Sequence, residues 1–500
     1  GAATAAGAAT AAGAATATGA ATTATTAGTA TTATTAGTSS AGTGDTPAGT
    51  APAADFDGDG HPDLAFGSLG SVENGSGGGS IAVAYGSGDG TGVARCQYLT
   101  QNDAGIPGKG RDEAFFGTSV VARDLDGDGY TDLATLVFDW KPSIVVMWGS
   151  PEGLKSAVRV PDTDGTHVPW MSEPILEERL VAGDFDGDGH ADLVFGPGSD
   201  KGLLKGPFGR DGAPASTAPV PAPSRPGEDI AAAGYRDLVA GDLDGDGADD
   251  LLVFTNHHKR PDDPWAEQRW PVSYLKGGRD GFTEPDGVEL PDAATGAVGD
   301  VDGDGIADLV LSPRGGDVSR SAVTVVHGSE AGPGKGRRTA TVDRDTPGVP
   351  GAEPQDENAS LTSLATGDFD GDGCADVVAG SVHGKLNADD ETGPEQVLLL
   401  RGAPDGLTGE GARTLDAGDL GGDAKAEDGF SLESRLVDLD GDGRAELVVA
   451  APGDDDIAGT AWLLPGTADG PSADGVTRLH GDSFGPDGGT DLYLGGGGVA

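Results

Sequence analysis

The stretch DFDGDGHPD, from Asp55 to Asp63, sets carboxylates at its first, third, fifth and ninth positions. Alternating aspartates on a tight turn aim their side-chain oxygens at one point, and the glycines at positions four and six let the backbone reverse without a Cβ clash. Such a cluster suits a hard cation, and calcium takes about six to eight oxygen ligands in flexible geometry. The pattern assigns to one ion Asp55, Asp57, Asp59, the main-chain carbonyl of His61, and Asp63. It recurs six times. The same offsets give Asp124, Asp126, Asp128, Tyr130 and Asp132; Asp184, Asp186, Asp188, His190 and Asp192; Asp242, Asp244, Asp246, Ala248 and Asp250. They continue with Asp300, Asp302, Asp304, Ile306 and Asp308; Asp368, Asp370, Asp372, Cys374 and Asp376; Asp438, Asp440, Asp442, Arg444 and Glu446. In each set the fourth residue gives its carbonyl.

One such turn could be an acidic surface loop, but seven regular copies specify up to seven structural Ca2+ sites. An EF-hand loop ends in an acid at position twelve, where this chain has Phe66 in the first copy and Thr135 in the second. The starts at 55, 124, 184, 242, 300, 368 and 438 lie 58 to 70 residues apart. A period of that size marks repeat units that share one continuous core.

The totals fit. Glycine contributes 89 of 500 residues and hydrophobic residues 36%, which suits short strands and many turns rather than long amphipathic helices. The formal charge is −51, and seven calcium ions would bring it to −37, so nucleic acid is excluded as a partner. Without the ions the crowded carboxylates repel, and the metal-free fold is expected to be less stable. Cys96 and Cys374 fall in distant repeats, where a disulfide is not expected. No apolar run is long enough to span a membrane. The chain starts at Gly1, which fits a mature or trimmed protein and shows no signal peptide.

The elements around the loops follow one plan. Apolar runs lead in, as in TSVVARD (118–124), and lead out, as in DLVLS (308–312). These read as strands one and two joined by the calcium turn. A variable connection precedes a third run ending in a glycine turn, as in IVVMWGSPEGL (144–154) and VLLLRGAPDGL (397–407), and a less apolar fourth strand follows at the outer edge. Four antiparallel strands repeated seven times describe an all-β, seven-bladed β-propeller over residues 50–500. Residues 1–49 are an Ala/Thr/Gly tail that buries too little to order itself. It reads as a spacer, or as a strand that threads into a partner.

At FFGTSVVARDLDGDGYTDLA (115–134) and DLDGDGRAELVVAAPG (438–453) the chain resembles FG-GAP repeats. The resemblance covers about residues 50 to 496 and implies a propeller like that of integrin α chains and of secreted bacterial proteins. The Phe-Gly pair is intact at Phe116-Gly117 and returns at Phe484-Gly485, whereas repeat four has Tyr235-Arg236 and repeat seven Phe430-Ser431, where different packing is expected. The first repeat has only TAPAA (50–54) before its loop, so DLYLG (491–495) is expected to join the first blade and close the ring.

The calcium turns occupy one face and are read as pins for each blade's inner strands. The variable connections occupy the opposite face, where recognition usually lives. Trp140, Trp170, Trp265 and Trp270 map there, as covers for small satellite cores or as a platform for sugar rings or a partner protein. His257-His258 lies in the same insertion as Trp265 and Trp270, with no third fixed ligand evident. No nucleophile elbow, zinc-protease helix or phosphate loop occurs, so no catalytic residue is assigned. The favoured reading is a secreted, lectin-like or adhesive recognition module. The alternatives are a propeller enzyme of the polysaccharide lyase or hydrolase kind, and a structural component of a cell-surface or secreted assembly.

Overall fold

Second strands that read as unbroken apolar runs need burial on both faces, and the computed structural model supplies it by stacking blade on blade. It describes residues 54–68, 78–88, 90–110, 114–139, 141–161, 180–196, 202–222, 234–258, 268–314, 321–336, 339–351, 360–382, 395–422, 429–452, 459–485 and 499–500. The tail expected over 1–49 lies outside them.

Seven antiparallel sheets follow one another along the chain, six of four strands and the first of three. Blade two is representative, with strands Val120–Arg123, Asp132–Asp139, Lys141–Trp148 and Ser156–Arg159 in simple up-and-down order. First strands of successive blades neighbour each other around the axis, Val120–Arg123 beside Leu180–Gly183, and so on to Ser360–Gly367 beside Glu433–Val437.

Each hydrophobic core is shared between two blades. In the strand Asp308–Pro313 the pleat sends Leu309 and Leu311 into the core with blade four and Val310 into the core with blade six. Seven such cores run in cyclic order, and the last packs Leu439, Val448 and Leu463 of blade seven against Leu64, Phe66 and Ala82 of blade one. The circle is therefore closed by packing, which makes the fold a seven-bladed propeller. Fourth strands such as Ser156–Arg159 and Arg413–Asp416 are only partly covered, as befits an outer edge.

In blade one, Ala54 bridges to Asp63, and the other inner-edge partner comes from the end of the chain. Ala500 exchanges both main-chain hydrogen bonds with Ala65, at 2.7 and 2.8 Å, and Val499 bridges to Phe66. Arg435 of blade seven donates to the Val499 carbonyl at 3.0 Å, and Phe484 meets Phe66 edge to face at 6.4 Å. The segment DLYLG (491–495) lies outside the described residues.

The Phe116-Gly117 pair docks the inner edge of blade two on blade one. The Phe116 N–H donates to Gly78 at 2.9 Å, and Gly117 has φ +92 with the Ser80 carbonyl where a Cβ would point. Repeat seven does not pack differently there. Phe430 is buried against Trp462, and Ser431 adopts the left-handed backbone of the missing glycine at φ +76. The side chains of Tyr235 and Arg236 lie outside the described residues.

Candidate functional site

Each aspartate loop is folded by its own carboxylates. Asp55 accepts from the N–H groups of Gly58 and Asp59 at 2.7 and 3.2 Å through Oδ1, and from Gly60 at 3.0 Å through Oδ2. Asp368 does the same in the sixth loop with Gly371, Asp372 and Gly373. The fifth-position acid accepts from the seventh-position N–H, as Asp59 does from His61 at 2.9 Å. That contact closes an Asx turn at the end of the loop.

The ninth-position acid is a staple between strands. One oxygen of Asp63 accepts from Phe56 at 2.8 Å inside its loop, and the other accepts from Gly86, at the end of the third strand, at 2.9 Å. Both bonds recur in all seven blades, through Glu446 in the last, where Leu439 and Gly466 donate. The glycine is required by close approach. A Cβ on Gly277 would lie 2.1 Å from the Asp249 carbonyl, and one on Gly402 2.4 Å from that of Ala375.

The loops also bind each blade to the next, which goes beyond the pins within a blade that the sequence implies. The second-position residues Phe56, Leu125, Phe185, Leu243, Val301, Phe369 and Leu439 are all buried in the core shared with the following blade. The carbonyls of Phe56, Leu125, Phe185, Leu243 and Val301 accept from that blade's third-strand turn, Phe56 from Ser150 at 3.0 Å and Phe185 from Gly278 at 2.8 Å. The first-position carbonyls of Asp55, Asp184, Asp300 and Asp368 accept from the next loop's eighth N–H, Asp55 from Thr131 at 2.9 Å and Asp368 from Ala445 at 2.7 Å.

At the centre of each loop negative charge collects out of water. Asp55, Asp57 and Asp63 converge with ligand atoms within 4.8 Å of one another, as do Asp124, Asp126 and Asp132, and Asp184, Asp186 and Asp192; in the fourth loop Asp242, Asp244 and Asp246 converge. Burial pushes the carboxyls of Asp63, Asp132, Asp192, Asp250 and Glu446 up to about 7 and that of Asp376 to about 8, with neighbouring acids adding to the rise. Third-position acids carry a second signal. Their Oδ2 meets a basic side chain, Asp57 with Arg95 at 2.7 Å, Asp186 with Lys205 at 2.9 Å and Asp370 with Arg401 at 3.0 Å. The Oδ1 atoms of Asp57, Asp186, Asp244 and Asp370 are buried without a hydrogen bond. A buried carboxylate oxygen in that condition fits a bound cation. Oxygen-only donors of this number suit calcium.

Two families of repeat are recognised in the sequence. An FG-GAP-like repeat matches residues 55–135, and an FG-GAP repeat matches residues 360–393 and 435–464. The chain is an FG-GAP repeat protein. Its FG-GAP region is similar to integrin alpha-PS2 of Drosophila melanogaster, with 29% identity over 176 residues, 32% of this chain; the chain spans only 12% of that protein's length. Among solved structures it is similar to a lectin from Burkholderia pseudomallei, at 15% identity and TM-score 0.40 over 81% of this chain and 96% of that one. A biofilm matrix protein of V. cholerae gives 12% identity and TM-score 0.24 over 87% and 83%. The blade count of this FG-GAP propeller rests on its own sheets and cores.

Of the tryptophans assigned to the opposite face, Trp140, Trp170 and Trp265 lie outside the described residues. Trp270 is half-buried, with its main-chain N–H donating to Asp292 at 3.3 Å and the Arg314 guanidinium 5.6 Å from its ring centre. Cys96 and Cys374 are free thiols. Among the described residues no helix is long and apolar enough to cross a membrane. The motif alone does not reveal the third-strand glycines and the apolar second positions. The signal was present as a glycine after each third run and an apolar residue in every D-x-D.

Proposed function

We propose that this FG-GAP chain is a secreted, calcium-stabilised recognition module that takes a glycan or a partner protein on the loop face opposite the calcium turns. In this reading the ions sit among the first, third, fifth and ninth acids and the seventh carbonyl of each loop, and they are structural. The observation that carries it is the commitment of all seven turns to blade packing, through the ninth acid and the second side chain. Groups so engaged leave recognition to the connections on the other side. Loops of this kind fill where free calcium is high, as it is outside cells. Trp270, with Trp140, Trp170 and Trp265, supplies amphipathic rings suited to sugar faces or a protein anchor. Residues 1–49 then serve as a tether, or as a strand that threads into the partner.

A glycan array probed with the wild type and with a Trp265→Ala, Trp270→Ala double variant tests the recognition site. Binding that disappears in the variant, with calcium-dependent melting retained, is the expected result. Equal binding by both proteins would place recognition elsewhere, and silence from the wild type would turn the search to protein partners. Chelation should lower the melting temperature by many degrees and calcium should restore it; an unchanged melt after verified metal removal rules out the structural ions.

A further inference from the structure

The fifth loop differs from those of blades three, four and six at the residue just before the third-strand glycine, a place held by Tyr85, Trp148 and Pro465 in blades one, two and seven. Lys205, Lys276 and Arg401 hold that place in blades three, four and six, and each pairs with the third-position acid of its own loop. In blade five the residue is His327, only 9% exposed. Its Nδ1 lies 3.3 Å from Oδ2 of Asp302 and 3.2 Å from Oδ1 of Asp308, and the three donor atoms lie within 4.8 Å of one another. Ligands about 2.1 Å from a metal stand roughly 3.0 to 3.4 Å apart at right or tetrahedral angles. The two separations from His327 match neighbouring corners of one coordination sphere.

Chemistry separates this place from the others. Lysine and arginine bring a fixed charge and no lone pair, so they can only neutralise the acids. An imidazole protonated on Nε2 brings a nitrogen lone pair on Nδ1 to the same spot. Calcium takes oxygen ligands, whereas mixed imidazole and carboxylate donors favour first-row transition ions.

We propose that the fifth loop binds a divalent first-row transition ion through Asp302, Asp308 and the Nδ1 of His327, while the other loops take calcium. The assignment rests on the reading of these loops as cation sites. It gives the propeller one site of different metal chemistry in a ring of similar ones, placed where the fifth loop abuts blade six through the Ala375 N–H on the Asp300 carbonyl at 2.7 Å.

The test uses the full chain, stripped of metal, saturated with Ca2+ and then titrated with Co2+. The expected result is one equivalent of Co2+ that excess Ca2+ does not displace, with visible absorption bands of a nitrogen-ligated ion. His327→Gln should lose that equivalent while keeping the wild-type rise in melting temperature with Ca2+. His327→Asn serves the same purpose should the first variant not fold. Co2+ held as tightly by the variants as by the wild type, or fully displaced by Ca2+, overturns the proposal. A chain that Ca2+ fails to stabilise, yet that holds Co2+ through His327, overturns the calcium reading and leaves this one standing.

Discussion

Ser431 stands where the intact Phe-Gly pair has its glycine, and its backbone pays no heed to the difference. Its φ of +76 is strained for any residue with a Cβ, and its buried hydroxyl oxygen has no hydrogen-bond partner. Left-handed backbone costs a non-glycine residue about 1–2 kcal/mol, and a buried unsatisfied hydroxyl costs a similar amount, partly offset by glycine's looser unfolded chain. Ser431→Gly should therefore stabilise the protein by about 1 kcal/mol in denaturant titration, and a loss of stability would contradict this account. The sequence exposes Phe430 as the partner of Phe116 because an aromatic residue before the inner strand is visible at its offset. It does not expose the backbone of Ser431, because a serine reads as an ordinary loop residue until its φ is known.

Between strands, the decisive contact is the glycine that follows each third strand. A Cβ on Gly402 would press on two carbonyls at once, that of Ala375 in its own blade at 2.4 Å and that of Val301 in the preceding one at 2.7 Å. Overpacking of this kind costs about 1–3 kcal/mol. Because both carbonyls belong to aspartate loops, the proposed calcium sites predict that Gly402→Ala also raises the calcium concentration needed for half-maximal stabilisation; equal calcium midpoints for the two proteins would show that the turn is not coupled to the loop. The loops were legible down to the offset because carboxylates on alternate positions have one evident use. The staple from Asp376 to Gly402 was not, since its partner lies 26 residues away and a register between strands leaves no mark in one sequence. The apolar second position is visible as composition, but the core it enters belongs to another repeat.

Across the whole molecule, the architecture followed from counting: seven loops, each with apolar runs before and after, require seven sheets that bury both faces. What the period could not supply is how the first and last blades meet, because blade one lacks a full inner strand. Val499 and Ala500 lie along Leu64–Ser68 there, and the buried Ala65 depends on Ala500 for both of its main-chain bonds. Deleting residues 499–500 should leave that N–H and carbonyl unpaired, at about 1–3 kcal/mol for each group, and lower the melting temperature of the entire ring by several degrees. A truncated chain that melts as the full one does would mean that these two residues do not close it. The proposed recognition face was the least legible part, because the tryptophans assigned to it fall in connections of irregular length where no period constrains them.

Pro62 occupies the eighth position of the first loop, where other blades have an N–H to give to the loop before them. Proline has none. Among the described residues, no main-chain bond from blade one reaches the carbonyl of Asp438 or Leu439, although every other seam has at least one bond of the two kinds described above. That seam is held instead by the core that Leu439, Val448 and Leu463 share with Leu64, Phe66 and Ala82, by Thr91 Oγ1 donating to the Gly475 carbonyl at 3.0 Å and by Arg435 donating to the Val499 carbonyl at 3.0 Å. With side-chain contacts in place of main-chain ones, its amides should exchange hydrogen sooner than those at the other six seams, and equal protection around the ring would contradict this.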